Sequence, residues 1–574
     1  MMTYVNPFEY EAATKFKTDE LLDFYIEDFN YSRFIRSRRN IFLVGERGTG
    51  KTMALLFNSF PVQMAAAQRA RKDPDFQLLG VYIPCKTQLT HKKEYELLEP
   101  FQASILSEHY LVAAMMYHVV DTLGRIPGLV PAGETARLKA EAEYTLGIKL
   151  PKRHAFLDGL ALACQREVML AQRALNQRGG NPFYENSLSF SSAILPLLSH
   201  LRTIPMLQDT HWSLMLDDAH DLNPFQVSAL NSWIAYRDHS LFSFKVATAK
   251  VERPSFKTSS GGSILEGHDF TLVDMEQPYQ NRSSRFGRLA REIVRRRLDK
   301  IHVTKEPEEF FPAHVEFEKD IETCRKRVLG EAQEKYPRGS QKQINDYVYK
   351  YARARYFQDR DPKANLPAYS GFETLVHIST GVIRNLLEPC YWMYDRAVSE
   401  MRAGGNGHVT EVSPSIQSAI LQEISQKRWT WLREGLDNTI DGCSREQAGE
   451  IYRLFDNLAI LFRERLLASK SEPRAISFTV SGMESPEYEE LHKLLKIARK
   501  AQMLYTYTSS AKDLGKREVY YVPNRILWPE RGLDPNGQHA RVSIRAPHLM
   551  QAAEHNKRIP FKDSEEETGV LFDE

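Results

Sequence analysis

Residues 41–70 place three patterns in succession, and together they constrain the fold more than any other stretch of the chain. Ile41, Phe42, Leu43 and Val44 form an uninterrupted apolar run, read as a buried strand. Gly45-Glu46-Arg47-Gly48-Thr49-Gly50-Lys51-Thr52 then spells G-x-x-x-x-G-K-T, and residues 53–70 continue as a helix. The spelling is informative only between a strand and a helix, and here it has both. Gly45, Gly48 and Gly50 let the backbone curl until successive N–H groups face a phosphate chain. Lys51 is expected to reach the β- and γ-phosphates of ATP, and the Thr52 hydroxyl to ligate Mg2+. A chance glycine turn before a helix is the competing reading, and the flanking elements weigh against it.

The remaining strands support an α/β P-loop NTPase core. Residues 78–84 are nearly all apolar. Residues 212–216 form a second apolar strand that ends in Asp217-Asp218-Ala219-His220. Carboxylates at the end of such a strand are what Mg2+ coordination beside a P-loop requires. Asp217 is expected to hold the metal shell, and Asp218 to orient or deprotonate the attacking water. An acidic pair after a strand is commonly a solvated turn, but the upstream loop favours the functional reading. Residues 244–248 end in Thr248, where a γ-phosphate sensor would sit, and Arg253 follows in a loop rich in Ser and Gly. Residues 268–273 read as the last strand of the core. Apolar spacings of three and four run through residues 101–201, too long for a simple crossover and hence read as a helical insertion at about 100–205.

Downstream, Arg282, Arg285, Arg288, Arg291 and Arg295 fall along one flank of a basic helix, either a binding surface or a solvated face paired to nearby acids. Residues 305–356 are charged and helical, and residues 371–397 are amphipathic and contain Gly381-Val382-Ile383-Arg384. A glycine-rich linker occupies 403–407. Helices at 415–436 and 444–468, a strand at 475–480 and a helix at 486–500 follow. That last helix carries Lys493, Lys496, Arg499 and Lys500. Segments 503–507 and 518–522 flank a turn holding Lys512, Lys516 and Arg517, so helices followed by a β-hairpin point to a winged-helix-like module. The acidic segment 563–574 reads as disordered.

Composition removes whole classes. Lys+Arg 76 against Asp+Glu 74 leaves a net charge of +2, so nucleic-acid binding has to come from local clustering. The five cysteines include no Cys-x-x-Cys pair, which argues against a zinc ribbon and a disulfide framework. The apolar run at 111–120 is far shorter than the ~20 residues of a membrane span, and residues 1–10 lack the blocks of a signal peptide. A reduced, cytoplasmic, multidomain protein without membrane contact is expected.

In order, the P-loop at 45–52, the strand ending in Asp217-Asp218, the Thr248 strand end and Gly381-Val382-Ile383-Arg384 resemble the AAA+ ATPases of the origin-recognition and initiator clade, in a bacterial form. The resemblance implies an AAA+ core over 1–280, a helical lid over 281–403 and a winged-helix-like domain over 408–550, and the remaining 551–574 are expected to be a disordered acidic tail. It implies ATP and Mg2+ as cofactors, Arg384 as a lid arginine on the nucleotide phosphates, and Arg253 as the nearest counterpart of an arginine finger. Asp218 stands where that clade carries Glu, and Thr248 where it carries Asn. A shorter carboxylate reaches less far, so slow or gated hydrolysis is expected.

Two functions stay open. One is an ATP-dependent switch that binds double-stranded DNA and assembles with itself or with partners, in defence against phage and mobile DNA or in control of replication or transposition. The other is a STAND-type signalling ATPase whose C-terminal region binds a protein partner or an effector nuclease. A helicase motor would need a second RecA-like core with Q-x-x-G-R-x-G-R, which the sequence lacks. Arg541 and His548 are spaced loosely like a ribonuclease motif, but Pro547 lies between them and chance accounts for the spacing better. Any nuclease effector is therefore expected on a separate chain.

Overall fold

The computed structural model describes residues 6–10, 12–27, 31–85, 93–176, 187–236, 240–251, 255–276, 284–359, 369–404, 408–468, 475–508, 518–536 and 541–561. The chain divides into two compact units, Glu11–Glu276 and Met1–Tyr10 together with Gln277–Glu574.

In the unit Glu11–Glu276 five strands, β1 (Ile41–Val44), β2 (Leu78–Pro84), β3 (His211–Asp217), β4 (Phe242–Thr248) and β5 (Thr271–Asp274), form one sheet in the order β2-β3-β4-β1-β5. Every described pairing in it is parallel. A parallel sheet is covered on both faces, which is why its strands read as continuous apolar runs. Side chains alternate between the two covers. Phe42 and Val44 join a large cluster with Val112, Met116, Leu160 and Leu197 of the inserted helices. Ile41 and Leu43 join a second cluster with Ala54 and Leu55, which lie on the helix Lys51–Phe57 that follows the glycine-rich loop.

The insertion between β2 and β3 is helical as expected: Pro100–Gly124, Thr135–Leu146, Phe156–Asn176 and Leu195–Leu201 are its main helices. Its apolar residues, among them Val119, Leu123 and Leu198, complete the core on one face of the sheet. On the other side β2 runs very close to the helix Lys51–Phe57. A Cβ on Gly80 would lie 2.4 Å from the Asn58 carbonyl oxygen, so only glycine fits there.

The second unit contains a mixed four-stranded sheet of β6 (Phe478–Ser481), β7 (Leu504–Thr508), β8 (Val519–Pro523) and β9 (Val542–Arg545), ordered β7-β8-β6-β9. β8 is antiparallel to both β7 and β6, whereas β6 and β9 run parallel. Helices Arg445–Leu467, Glu489–Lys500 and Ala546–His555 share its apolar core, through residues such as Leu458, Leu494 and Leu549. The charged stretch after residue 305 is an antiparallel pair of helices, Val315–Lys335 and Gln341–Asp359, with a small core of Val328, Ala332, Val348 and Ala352. Among the described residues no helix is long and apolar enough to cross a membrane.

Candidate functional site

Parallel strands end on one side of their sheet, so the residues that follow β1, β3 and β4 are brought to a common edge. Val44 is in register with Thr248 on one side and Asp274 on the other, and Pro84 with Asp217. The Gly45 amide donates to the Thr248 carbonyl at 3.3 Å, which ties the first loop residue to the end of β4.

The loop itself needs its glycines. Gly48 and Gly50 have φ of 88° and 96°, in the left-handed region that glycine adopts without a steric penalty. Lys51, the first residue of the helix, is only 5% exposed. Its Nζ donates to the carbonyls of Gly45 at 2.6 Å and Glu46 at 3.0 Å. Burial pulls the Lys51 pKa down, against the opposing pull of Asp218, Asp217, Glu46 and Glu276. The ammonium therefore sits in a strongly acidic setting, one that a divalent cation would help to neutralise.

Asp217 is 2% exposed. Its Oδ2 accepts the Tyr82 hydroxyl at 2.9 Å, and its Oδ1 accepts the Asp218 amide at 3.1 Å. Burial and then the Asp218 charge raise its pKa, while Thr52, Tyr82 and Lys51 oppose the rise. Thr52 and Asp217 thus present hard oxygen donors side by side, the donor chemistry of Mg2+. Among the described residues no group of three or more His, Cys, Asp or Glu side chains could hold a metal ion. A Mg2+ ion here would accordingly take most of its ligands from phosphate oxygens and water, as Mg2+ commonly does in nucleotide sites.

Asp218 adopts φ 53° and ψ 43°, a left-handed conformation that aspartate tolerates better than most residues. Thr248 is fully buried, and its hydroxyl donates to the Ala249 carbonyl at 3.5 Å. Arg253 lies outside the described residues, as do Arg282, the linker residues 405–407, the tail from residue 562 and the hairpin tip with Lys512, Lys516 and Arg517. Arg384 belongs to the other unit, half-buried in the first turn of the helix Ile383–Gly404.

Sequence reasoning missed a charged lacing beneath the loop. Lys250 Nζ lies 3.1 Å from Asp274 and 3.0 Å from Glu276. Glu276 accepts the Glu46 amide at 2.8 Å, and Glu46 accepts the Val251 amide at 3.1 Å. Burial pulls Lys250 down, yet Glu276 and Asp274 together outweigh it and its pKa is raised. The ends of β1, β4 and β5 are bound together by these contacts. The available signals were an acid inside the loop and the spacing Asp274-Met275-Glu276 directly after a strand.

Two arginines of the flank, Arg291 and Arg295, and the adjacent Arg296 form ion pairs. Arg291 contacts Glu306 at 2.9 Å and Glu308 at 2.7 Å, Arg295 contacts Glu292 and Asp299, and Arg296 contacts Glu292. In the C-terminal helix Glu489–Lys500, Lys493 pairs with Glu490 at 3.3 Å and Glu489 at 3.6 Å. Lys496 on that helix is exposed, and Arg499 and Lys500 are half-buried.

The family model described as ORC-CDC6-like matches residues 6–332 and 322–544. The chain belongs to the ORC-CDC6-like family. No curated protein matches it. Among solved structures it is similar to Cdc6p from Pyrobaculum aerophilum, at 11% identity over 96% of this chain and 97% of that one, with a TM-score of 0.29. It is also similar to the Aeropyrum pernix Orc1 protein in complex with DNA, at 12% identity over 90% and 94% of the two chains and a TM-score of 0.31. A third is Drosophila ORC bound to GC-rich DNA and Cdc6, at 11% identity, 87% and 66% coverage and a TM-score of 0.22. Within an ORC-CDC6-like chain, the five-stranded parallel sheet with its glycine-rich loop fits the AAA+ P-loop core.

Proposed function

We propose that this ORC-CDC6-like protein binds Mg-ATP at the 45–52 loop and hydrolyses it slowly, as a switch that acts on double-stranded DNA. One observation carries the reading: the loop that carries Lys51 and Thr52 and the strand end that carries Asp217 meet at the same edge of the sheet, where Lys51 and Asp217 are both buried. In the reaction, Lys51 would exchange its loop carbonyls for β- and γ-phosphate oxygens. Asp218 would orient or deprotonate the attacking water. Mg2+, held through Thr52 and Asp217, supplies charge neutralisation at the phosphates. Thr248 sits where a sensor of the γ-phosphate would act, Arg253 follows as the finger a neighbouring subunit would receive, and Arg384 is the lid arginine. The expected layout is a core over 1–280, a lid over 281–403 and a winged-helix-like domain over 408–550, in a cytoplasmic protein that assembles with itself or with partners. Its setting is replication or transposition control, or defence against phage and mobile DNA.

Calorimetry tests the core of this reading. Lys51→Ala removes the positive partner of the phosphates and should weaken ATP affinity at least about tenfold, or ~1.4 kcal/mol. Equal affinity in the two proteins would end the assignment of the loop.

A specific observation favours a second reading for the C-terminal region. Lys493 is already paired by Glu489 and Glu490, which leaves a mixed surface suited to a protein partner, as in a STAND-type signalling ATPase. A mobility-shift titration with ATP present separates the two, because only the DNA reading yields a duplex complex.

A further inference from the structure

We propose that Tyr82 is a positioning residue for Mg2+: its hydroxyl commits one oxygen of the Asp217 carboxylate to the protein and so restricts how that carboxylate meets the metal. The proposal deepens the nucleotide reading above and rests on it.

The strand register explains the contact. Tyr82 pairs with Met215 and Pro84 with Asp217, so Tyr82 and Asp217 belong to adjacent strands and to one face of the sheet. That face is covered by the helix Lys51–Phe57: Met215 shares a cluster with Leu55, and the Tyr82 ring packs against it. The ring is thus anchored in the core, and its polar end reaches along the strand to Asp217 Oδ2 at 2.9 Å.

The count of donors gives this bond its consequence. An ionised carboxylate offers about four lone-pair sites. Tyr82 on Oδ2 and the Asp218 amide on Oδ1 fill two of them, one on each oxygen. With each oxygen already accepting one hydrogen bond from the protein, Asp217 is held against turning both oxygens onto the metal and meets its shell through one oxygen, directly or through a metal-bound water. Mg2+ suits such a site, because it keeps several waters and demands regular geometry. Ca2+ accepts bidentate carboxylates and irregular shells. Removing the Tyr82 hydroxyl frees Oδ2 and lets the carboxylate turn. Selectivity for Mg2+ over Ca2+ should then fall, a change that loss of packing alone would not produce.

The test measures binding of a non-hydrolysable ATP analogue to the full chain by calorimetry, with EDTA, with Mg2+ and with Ca2+. In the wild type, Mg2+ should strengthen binding, and more than Ca2+ does. In Tyr82→Phe the affinity in EDTA should be unchanged. The gain from Mg2+ should shrink about tenfold, in the range typical of lost partners behind a metal ligand, and the gain from Ca2+ should persist. A Tyr82→Phe protein that keeps the full Mg2+ gain and the Mg2+ preference overturns the proposal. So does a wild type that binds the analogue with no dependence on metal, an outcome that leaves the P-loop reading standing. A wild type that binds no analogue overturns both. Should circular dichroism show Tyr82→Phe unfolded, Tyr82→His takes its place, since its ring ends short of Asp217. Unchanged Mg2+ preference in that variant is equally fatal.

Discussion

Asp218 combines two properties that make it a clean target for substitution. Its backbone is left-handed, at φ 53° and ψ 43°, and its amide rather than its side chain makes the described bond to Asp217. Asparagine tolerates the same backbone region, so Asp218→Asn should fold and bind ATP within about twofold of the wild type. If the carboxylate is the group that handles the attacking water, turnover should drop by about 100-fold or more, in the range of a lost general base. Single-turnover assays would show bound ATP accumulating, and unchanged turnover would remove Asp218 from the chemistry. The place of this pair at the end of β3 was legible in the letters, because an apolar run leads straight into it. Tyr82 was not legible. A tyrosine in an apolar strand reads as core, and only the register across β2 and β3 brings its hydroxyl to Asp217. Lys245 is similar: in an apolar strand it is fully buried, and its ammonium donates to the Ser37 carbonyl at 2.7 Å, the Ser243 hydroxyl at 2.9 Å and the Arg39 carbonyl. The Ser37 and Arg39 carbonyls, like the Asp217 partner of Tyr82, come from distant sequence and leave no local pattern.

At the scale of elements, apolar runs flagged β1 and β2 and the greater part of β3 and β4, because burial on both faces favours apolar residues, whereas β5 is only partly buried. β5 begins at Thr271 rather than at 268, and β9 escaped notice, since four alternating residues are too few to stand out. Gly381-Val382-Ile383-Arg384 was legible as a motif, yet what holds it was hidden. The preceding Thr380 has φ 54°, unfavourable for a β-branched residue. Tyr507 of β7 donates to the Thr380 carbonyl at 3.1 Å, and the Arg525 amide donates to the Thr380 hydroxyl at 3.0 Å. Val382 packs with Tyr505, Tyr507 and Val522, and Asn385 donates to the Tyr505 hydroxyl at 2.9 Å. The turn that opens the Arg384 helix is therefore held by the four-stranded sheet. Thr380→Val keeps the shape and the strain but leaves the buried Arg525 amide without its acceptor, which costs about 1–3 kcal/mol. Thermal unfolding of the full chain should show the second unit melting several degrees lower. An unchanged transition would mean that the bond does not hold the turn.

For the whole molecule, near-neutral charge makes DNA affinity a local property. With a net of +2, long-range attraction offers little, and phosphate contacts must come from clusters of lysine and arginine. The helix Glu489–Lys500 offers Lys496, Arg499 and Lys500, while its Lys493 is engaged by Glu489 and Glu490. Residues 509–517, which follow β7 in the sequence and precede β8, add Lys512, Lys516 and Arg517. If these residues grip duplex DNA, log affinity should fall with log salt at about 0.9 per phosphate contacted. Replacing Lys512, Lys516 and Arg517 together with Ala should flatten that slope by up to about 3 and leave ATP binding intact. Lys496→Ala should weaken binding, whereas Lys493→Ala should change it less, because an ion pair already occupies that ammonium. Equal losses at Lys493 and Lys496 would show that the Glu489 and Glu490 pairing gives way to phosphate. No complex with any duplex at low salt, with ATP present, would transfer the C-terminal surface to a protein partner.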